Sequence, residues 1–169
     1  MPEAERTMIS LCLPASRFDY RVVGIFVHAG HVLLHRAEID DFWAPPGGRC
    51  ELGETSEQAL VREMREEMGE TVRVERLLWV VENFYTRDRV AHHGLGLYYL
   101  ATLPYNSPRL DVTTPFEGDE EGLRLSFQWF PLASVGSLHL YPLFLRTALQ
   151  TLPTTVRHII TREVAHDTP

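Results

Sequence analysis

Along the chain, apolar positions change their period several times, and each change marks a predicted element. Residues 21–27 (Arg-Val-Val-Gly-Ile-Phe-Val) are rich in β-branched side chains, and residues 28–31 (His-Ala-Gly-His) supply a tight turn into a second apolar run over 32–35, so the two predict a hairpin. Upstream, residues 8–13 read as an edge strand ended by Pro14. Residues 72–74 offer a brief pairing segment, 77–84 an apolar run suited to a buried strand, 86–93 a polar hairpin tip, and 95–102 a further strand. Three prolines and the acidic cluster Glu117, Asp119, Glu120 and Glu121 make residues 103–122 a predicted long loop, after which 123–130 returns as a strand. Pro142 suits a first helical turn, with Leu143, Leu145, Ala148, Leu149 and Leu152 as its apolar side and Pro153 as its end. The Thr, Val and Ile content of 156–164 reads as a strand.

One helix is signalled from end to end. Thr55 and Gln58 have capping-box spacing, Gly69 is placed to end the helix in a left-handed conformation, and Leu60, Val61, Met64 and Met68 fall on one stripe at 100° per residue, which marks both methionines as core. Before it, Ala44-Pro45-Pro46-Gly47-Gly48 is a stiff turn that becomes pliable. Strands interrupted by two helices predict an α/β fold with a mixed β-sheet covered on both faces. The 169 residues suit a single domain, 1–169, with an N-terminal edge segment over about 1–20 and a C-terminal helix and strand over about 142–164. No internal repeat is visible.

Composition narrows the function classes. A net charge of −7 argues against a footprint for duplex nucleic acid, while small anions remain candidate ligands if a cation bridges them. All sixteen basic residues are arginine, so no lysine base or Schiff base is available. Cys12 and Cys50 make neither a disulfide framework nor a zinc spacing, which points to a reduced, cytoplasmic setting, and nothing marks Cys50 as a nucleophile. Glu3 and Glu5, with Ser10 interrupting the longest early apolar run, support neither a signal peptide nor a membrane span.

The helix also crowds charge. Glu63, Glu66, Glu67 and Glu70 share a face toward its C-terminus, where like charges at i,i+3 and i,i+4 cost roughly 0.2–0.5 kcal/mol each and the dipole disfavours anions. A hard divalent cation would reverse that cost; equally, the face is a solvated one on which Arg62 and Arg65 screen the glutamates. Spacing alone leaves both readings open.

The segment Gly48-x5-Glu54-x7-Arg62-Glu63-Met64-Arg65-Glu66-Glu67-Met68-Gly69 resembles the Nudix box, and Trp43-Ala44-Pro45-Pro46-Gly47-Gly48 is similar to that family's lead-in. Two positions depart from the pattern: Glu70 stands where the family has a hydrophobic residue, with Val72 as a replacement contact, and Pro45 replaces a leucine. The resemblance covers roughly residues 21–152 and implies the family's α/β/α sandwich. It further implies Glu66 and Glu67 as metal ligands, Glu63 as ligand or base, the Gly48 carbonyl within reach of the metal, Arg62 as orienter of the glutamates, and Glu54 as an outer ligand or loop anchor. Mg²⁺ or Mn²⁺ is the implied cofactor. The implied chemistry is in-line attack of water on a diphosphate linkage, with a base drawn either from the box or from a later loop, where Glu120 and Glu121 are the candidates and Glu117 a third.

Around such a site Arg36, Arg87 and Arg89 are candidates for phosphate contacts and Trp43, Phe84, Tyr85 and Trp129 for stacking on a base, whereas His92 and His93 read as turn or edge residues. The expected activity is hydrolysis of a small nucleoside diphosphate derivative. A nucleoside triphosphate giving monophosphate and pyrophosphate is the first reading. Nucleotide sugars and dinucleoside polyphosphates come second, and a binding module without turnover is the contrary class. An exposed edge over 156–164 leaves a homodimer open.

Overall fold

A computed structural model describes residues 6–163; Glu3, Glu5 and Val164 lie outside the described residues. The chain forms strands β1 (Ser10–Leu13), β2 (Ser16–His28), β3 (His31–Ala37) and β4 (Gly47–Arg49), helix α1 (Ser56–Met68), and β5 (Arg73–Arg87) and β6 (Val90–Thr102). It continues with β7 (Phe116–Glu120), β8 (Leu123–Pro131), the single helical turn α2 (Leu145–Ala148) and β9 (Arg157–Arg162). Their order across the mixed sheet is β7-β8-β3-β2-β6-β5-β9, with β1 and β4 both on β2. β2 runs parallel to β6 and β5 parallel to β9, and the other pairs are antiparallel.

Alternation along the long strands divides the core in two. On β2, Val22 and Phe26 join Leu60, Met64 and Met68 of α1 on one face, while Val23 and Ile25 meet Trp79, Leu140, Leu145 and Leu149 on the other. The predicted α/β/α sandwich is therefore the observed one. Helix α1 begins and ends where its signals placed it: Thr55 and Gln58 form a reciprocal capping box, and Gly69 closes the helix at φ 74°. Val72, buried, supplies the contact that Glu70 cannot. Glu70 instead accepts a hydrogen bond from Ser107 Oγ at 2.5 Å.

Two predicted elements differ. Residues 103–122 are not one loop, because Phe116, Gly118 and Glu120 alternate with Glu117 and Asp119 on strand β7, which pairs with β8 through a two-residue turn at Glu121 (φ 52°) and Gly122 (φ 88°). Acidic side chains on the outer face hid that period of two. The C-terminal helix shrinks to one turn: the N–H groups of Leu145, Arg146 and Thr147 reach back three residues, to Pro142, Leu143 and Phe144, and Leu143, expected on the apolar side, is 40 % exposed, whereas Phe144 packs edge-on against Trp79 and Tyr98 at 5.7 and 5.9 Å. Leu145 and Leu149 plug the core from that turn. The hairpin tip expected over 86–93 narrows to Asp88 and Arg89, both at positive φ, with β5 and β6 running into it. No helix among the described residues is long and apolar enough to cross a membrane.

Candidate active site

Burying one face of α1 forces the adjoining carboxylates inward as well. Glu63 is 6 % exposed and Glu67 1 %, while Glu66 stays at the surface. Beside them β4 brings its backbone close: a Cβ at Gly48 would lie 2.1 Å from the Glu63 carboxyl carbon, so any other residue there would displace that carboxylate. Strand β7 crosses the end of the helix in the same manner, and a Cβ at Gly118 would meet the Glu67 carbonyl oxygen at 2.0 Å and the Phe127 ring at 2.7 Å. Alternation then carries Glu120, two residues on, to the same face as Gly118, where it joins Glu63, Glu66 and Glu67 around a cleft of about 300 Å³ that Glu121 and Asp119 also line.

The Gly118 contact gives a direct prediction. Gly118→Ala places a methyl group against a helix carbonyl and an aromatic ring, overpacking that costs about 1–3 kcal/mol and pushes β7 off α1. Denaturant unfolding should register the loss, and the neighbouring Gly122→Ala, whose Cβ would meet nothing within 4 Å but whose φ is 88°, serves as the backbone-strain control.

Arg62 organises the acidic face. Its Nε and Nη2 donate to Glu54 at 3.1 and 2.7 Å, its Nη1 to Glu63 at 2.7 Å and Glu66 at 3.2 Å, and its Nη2 also to the Arg49 carbonyl at 3.0 Å. Burial would raise the Glu54 carboxyl, but the Arg62 bonds and the Glu51 N–H hold it below its ordinary value. For Glu63 burial prevails over Arg62, and its acidity is weakened with help from the charges of Glu66 and Glu120. Glu67 is pushed furthest up, by burial first and then by Glu120 and Glu63, and neither of its oxygens has a hydrogen-bond partner. His35 Nδ1 lies 3.7 Å away, but burial lowers His35 to about 4, so the two form neither a hydrogen bond nor an ion pair near neutral pH.

An almost fully buried carboxylate with two orphaned oxygens calls for a cation, and oxygen-rich neighbours on one side suit a hard one. Glu63, Glu66, Glu67 and the Gly48 backbone are the groups that could hold it. As the chain stands, Arg62 and Arg6 draw the oxygens of Glu63 and Glu66 to themselves, Arg6 at 3.0 Å from Glu66, and among the described residues no three carboxylate, imidazole or thiolate groups converge at ligand spacing.

A second cavity of about 410 Å³ adjoins the cleft, and Glu120 lines both. Its floor comes from the sheet face opposite α1, where Asp19 and Arg21 of β2 stand in register with Gly94 and Gly96 of β6, and Asn83 and Tyr85 of β5 follow beyond. Gly94 leaves space that a side chain would otherwise fill, whereas the Tyr98 ring covers Gly96. The structure places the remaining sequence candidates unequally. Arg36, Tyr85 and Arg87 line this cavity, Tyr85 stacked on His92 with ring centroids 4.7 Å apart and Arg87 bonded to Asp40 at 2.8 Å. Trp43 does not line it, being held between Arg36, 4.8 Å from its ring, and Phe130, also at 4.8 Å. Phe84 stacks on His93, and Trp129 is core, its Nε1 donating to the Arg109 carbonyl. Glu117 is exposed and faces Arg124 at 3.8 Å. Arg21 was missed because it opens an apolar run; its parity with Asp19 and Val23 was the available signal. Cys50 is buried and its thiol is pushed up to about 11, mainly by that burial.

Comparison with known proteins places this geometry among related ones. Residues 19–152 match the family described as the NUDIX domain. The Bacillus subtilis (strain 168) protein YjhB, provisionally named an ADP-ribose pyrophosphatase, is 34 % identical over 70 residues, which is 41 % of this chain and 33 % of that protein; the chain thus spans about a third of the relative's length. A crystal structure of a UDP-X diphosphatase superposes with TM-score 0.61 at 19 % identity, covering 88 % of this chain and 68 % of that one. A MutT NUDIX hydrolase from Burkholderia pseudomallei is 26 % identical with TM-score 0.50, covering 69 % and 84 %.

Proposed function

Because this chain belongs to the Nudix hydrolase family, we propose that it hydrolyses the diphosphate linkage of a nucleoside diphosphate joined to a second, hydroxyl-bearing moiety. The observation that carries the reading is the pair of adjoining cavities with Glu120 common to both: one lined by box carboxylates, the other roomy and of mixed polarity. Asp19, Asp40 and Glu163 line the larger cavity beside Arg21, Arg36 and Arg87. Carboxylates accept hydrogen bonds from ribose or sugar hydroxyls and repel further phosphate charge. A nucleotide sugar or ADP-ribose therefore suits the cavity better than a nucleoside triphosphate.

Mg²⁺ or Mn²⁺, held by Glu63, Glu66, Glu67 and the Gly48 carbonyl, would neutralise phosphate oxygens and lower the cost of attack by water. Arg62 fixes Glu63 and Glu66 in position through charge-assisted hydrogen bonds, with Glu54 anchoring its other edge. Glu120, between the two cavities, accepts the proton of the attacking water on a carboxylate oxygen, while Glu121 on the adjoining turn is the second candidate for that role. Arg36, Tyr85 and Arg87 contact the substrate in the larger cavity, and Trp43 acts on it through Arg36.

A panel of ADP-ribose, UDP-glucose, diadenosine polyphosphates and nucleoside triphosphates, assayed with Mg²⁺ and with Mn²⁺, tests the reading. The expected result is fastest turnover on ADP-ribose or a nucleotide sugar. No turnover on any compound, with Glu66→Gln and Glu67→Gln binding ligand as well as the parent, would leave a binding module in its place.

A further inference from the structure

Three arginines line the larger cavity, and two of them are committed: Arg87 to Asp40 at 2.8 Å and Arg36 to the face of Trp43. Arg21 is not. Partly buried on β2, it makes no side-chain hydrogen bond or ion pair with the described residues. Its register partner on β6 is Gly96, over which the Tyr98 ring leans, and on its other flank it pairs with Arg49 of β4, the strand carrying Gly48. Its charge favours the ionised form of Asp19, which lines the same cavity. A guanidinium drawn partly out of water with its fork of donors unmatched is costly unless an anion completes it.

We propose that Arg21 binds the phosphate of the substrate's diphosphate that lies toward the larger cavity, leaving the other phosphate to the carboxylate cleft. The proposal rests on the function given above and assigns a division of labour within it. The box glutamates serve the phosphate side through a cation, and Arg21 serves the side that carries the organic moiety. Because a planar fork is matched to phosphate oxygens, lysine is expected to replace only part of its effect.

The test uses inorganic pyrophosphate as probe, so that it does not depend on the base or sugar. Isothermal titration in Mg²⁺ buffer should show the pyrophosphate dissociation constant of Arg21→Gln raised about 10- to 100-fold, with Arg21→Lys between the two. Mn²⁺ affinity, followed by electron paramagnetic resonance, should stay within about twofold, and the melting temperature without ligand should not fall, since the side chain has no partner to lose. Unchanged pyrophosphate affinity in Arg21→Gln overturns the proposal, as does an equal loss of Mn²⁺ affinity or a parent protein that binds no pyrophosphate. Turnover in the substrate panel with unaltered pyrophosphate binding would sink Arg21 alone; the reverse pattern would sink the proposed reaction and keep the anion site.

Discussion

Glu67→Gln is expected to abolish turnover while making the metal-free protein more stable. Both effects follow from one observation, a carboxylate 1 % exposed whose oxygens lack partners. If Glu67 holds the cation, its loss removes several kcal/mol of charge stabilisation, which at tenfold per 1.4 kcal/mol is a fall in kcat on the order of 10³-fold. In EDTA the balance reverses, because an amide avoids the penalty of a buried charge; relief of about 1–3 kcal/mol corresponds to a rise in Tm of about 2–4 °C per kcal/mol. The pH dependence separates this from a generic packing change. A carboxyl raised in the folded state favours folding fully below its ordinary value of 4.5, and that contribution is lost as pH rises through the higher folded value. The parent's stability in EDTA should therefore decline from about pH 5 upward more steeply than the variant's. Thermal melts across pH 5–8 check this, and a variant that melts lower than the parent at pH 8 would contradict it.

Arg62→Ala should produce the largest loss of stability. One guanidinium holds Glu54, Glu63 and Glu66 together and caps the Arg49 carbonyl, so its removal leaves the buried Glu63 without its cation and beside two further carboxylates. Breaking a buried ionic cluster by deleting one partner costs about 3–5 kcal/mol, or about 6–20 °C in Tm at this chain length. Saturating Mg²⁺ should restore part of it by mass action, since a cation that binds only the folded chain stabilises it. The deficit has a direction in pH. It shrinks as pH falls, because Glu63, raised by burial, and then Glu54, held low by Arg62, take up protons and no longer need the guanidinium; denaturant titrations at pH 4.5 and 7.5, with and without metal, measure both effects. A deficit that grows toward acid would mean that Arg62 serves packing and not charge.

The crowded carboxylates of α1 were legible because their logic is local. Thr55, Gln58 and Gly69 bound α1, the 3.6-residue period fixes which side chains turn inward, and the crowding of Glu63, Glu66 and Glu67 follows from those two facts. Glu120 was legible only as one acidic residue among several. What distinguishes it from Glu117 is the parity of β7 and the absence of a side chain at Gly118, and both emerge only when β7 pairs with β8. The larger cavity was not legible, since it depends on Gly94 and Gly96 of β6 lying in register with Asp19 and Arg21, residues some seventy-five positions earlier in a parallel pairing. Parallel register is set by long-range packing and leaves no mark within a window of sequence. Trp43 illustrates the converse, an aromatic beside the motif whose ring is occupied by Arg36 and Phe130.

The contact between Gly118 and the end of α1 gives β7 something like a reading frame. Glu120 faces the cleft because it stands an even number of residues beyond the point where the strand touches the helix. Inserting one residue between them would turn every later side chain over and present Glu121 or Asp119 in its stead; inserting two would restore the face but carry the carboxylate about 7 Å further along the strand. Length changes in this hairpin are thus tolerable beyond Glu120, at the turn, and ruinous before it. The two-residue spacing from Gly118 to Glu120 is held by geometry as firmly as the spacing within the box itself.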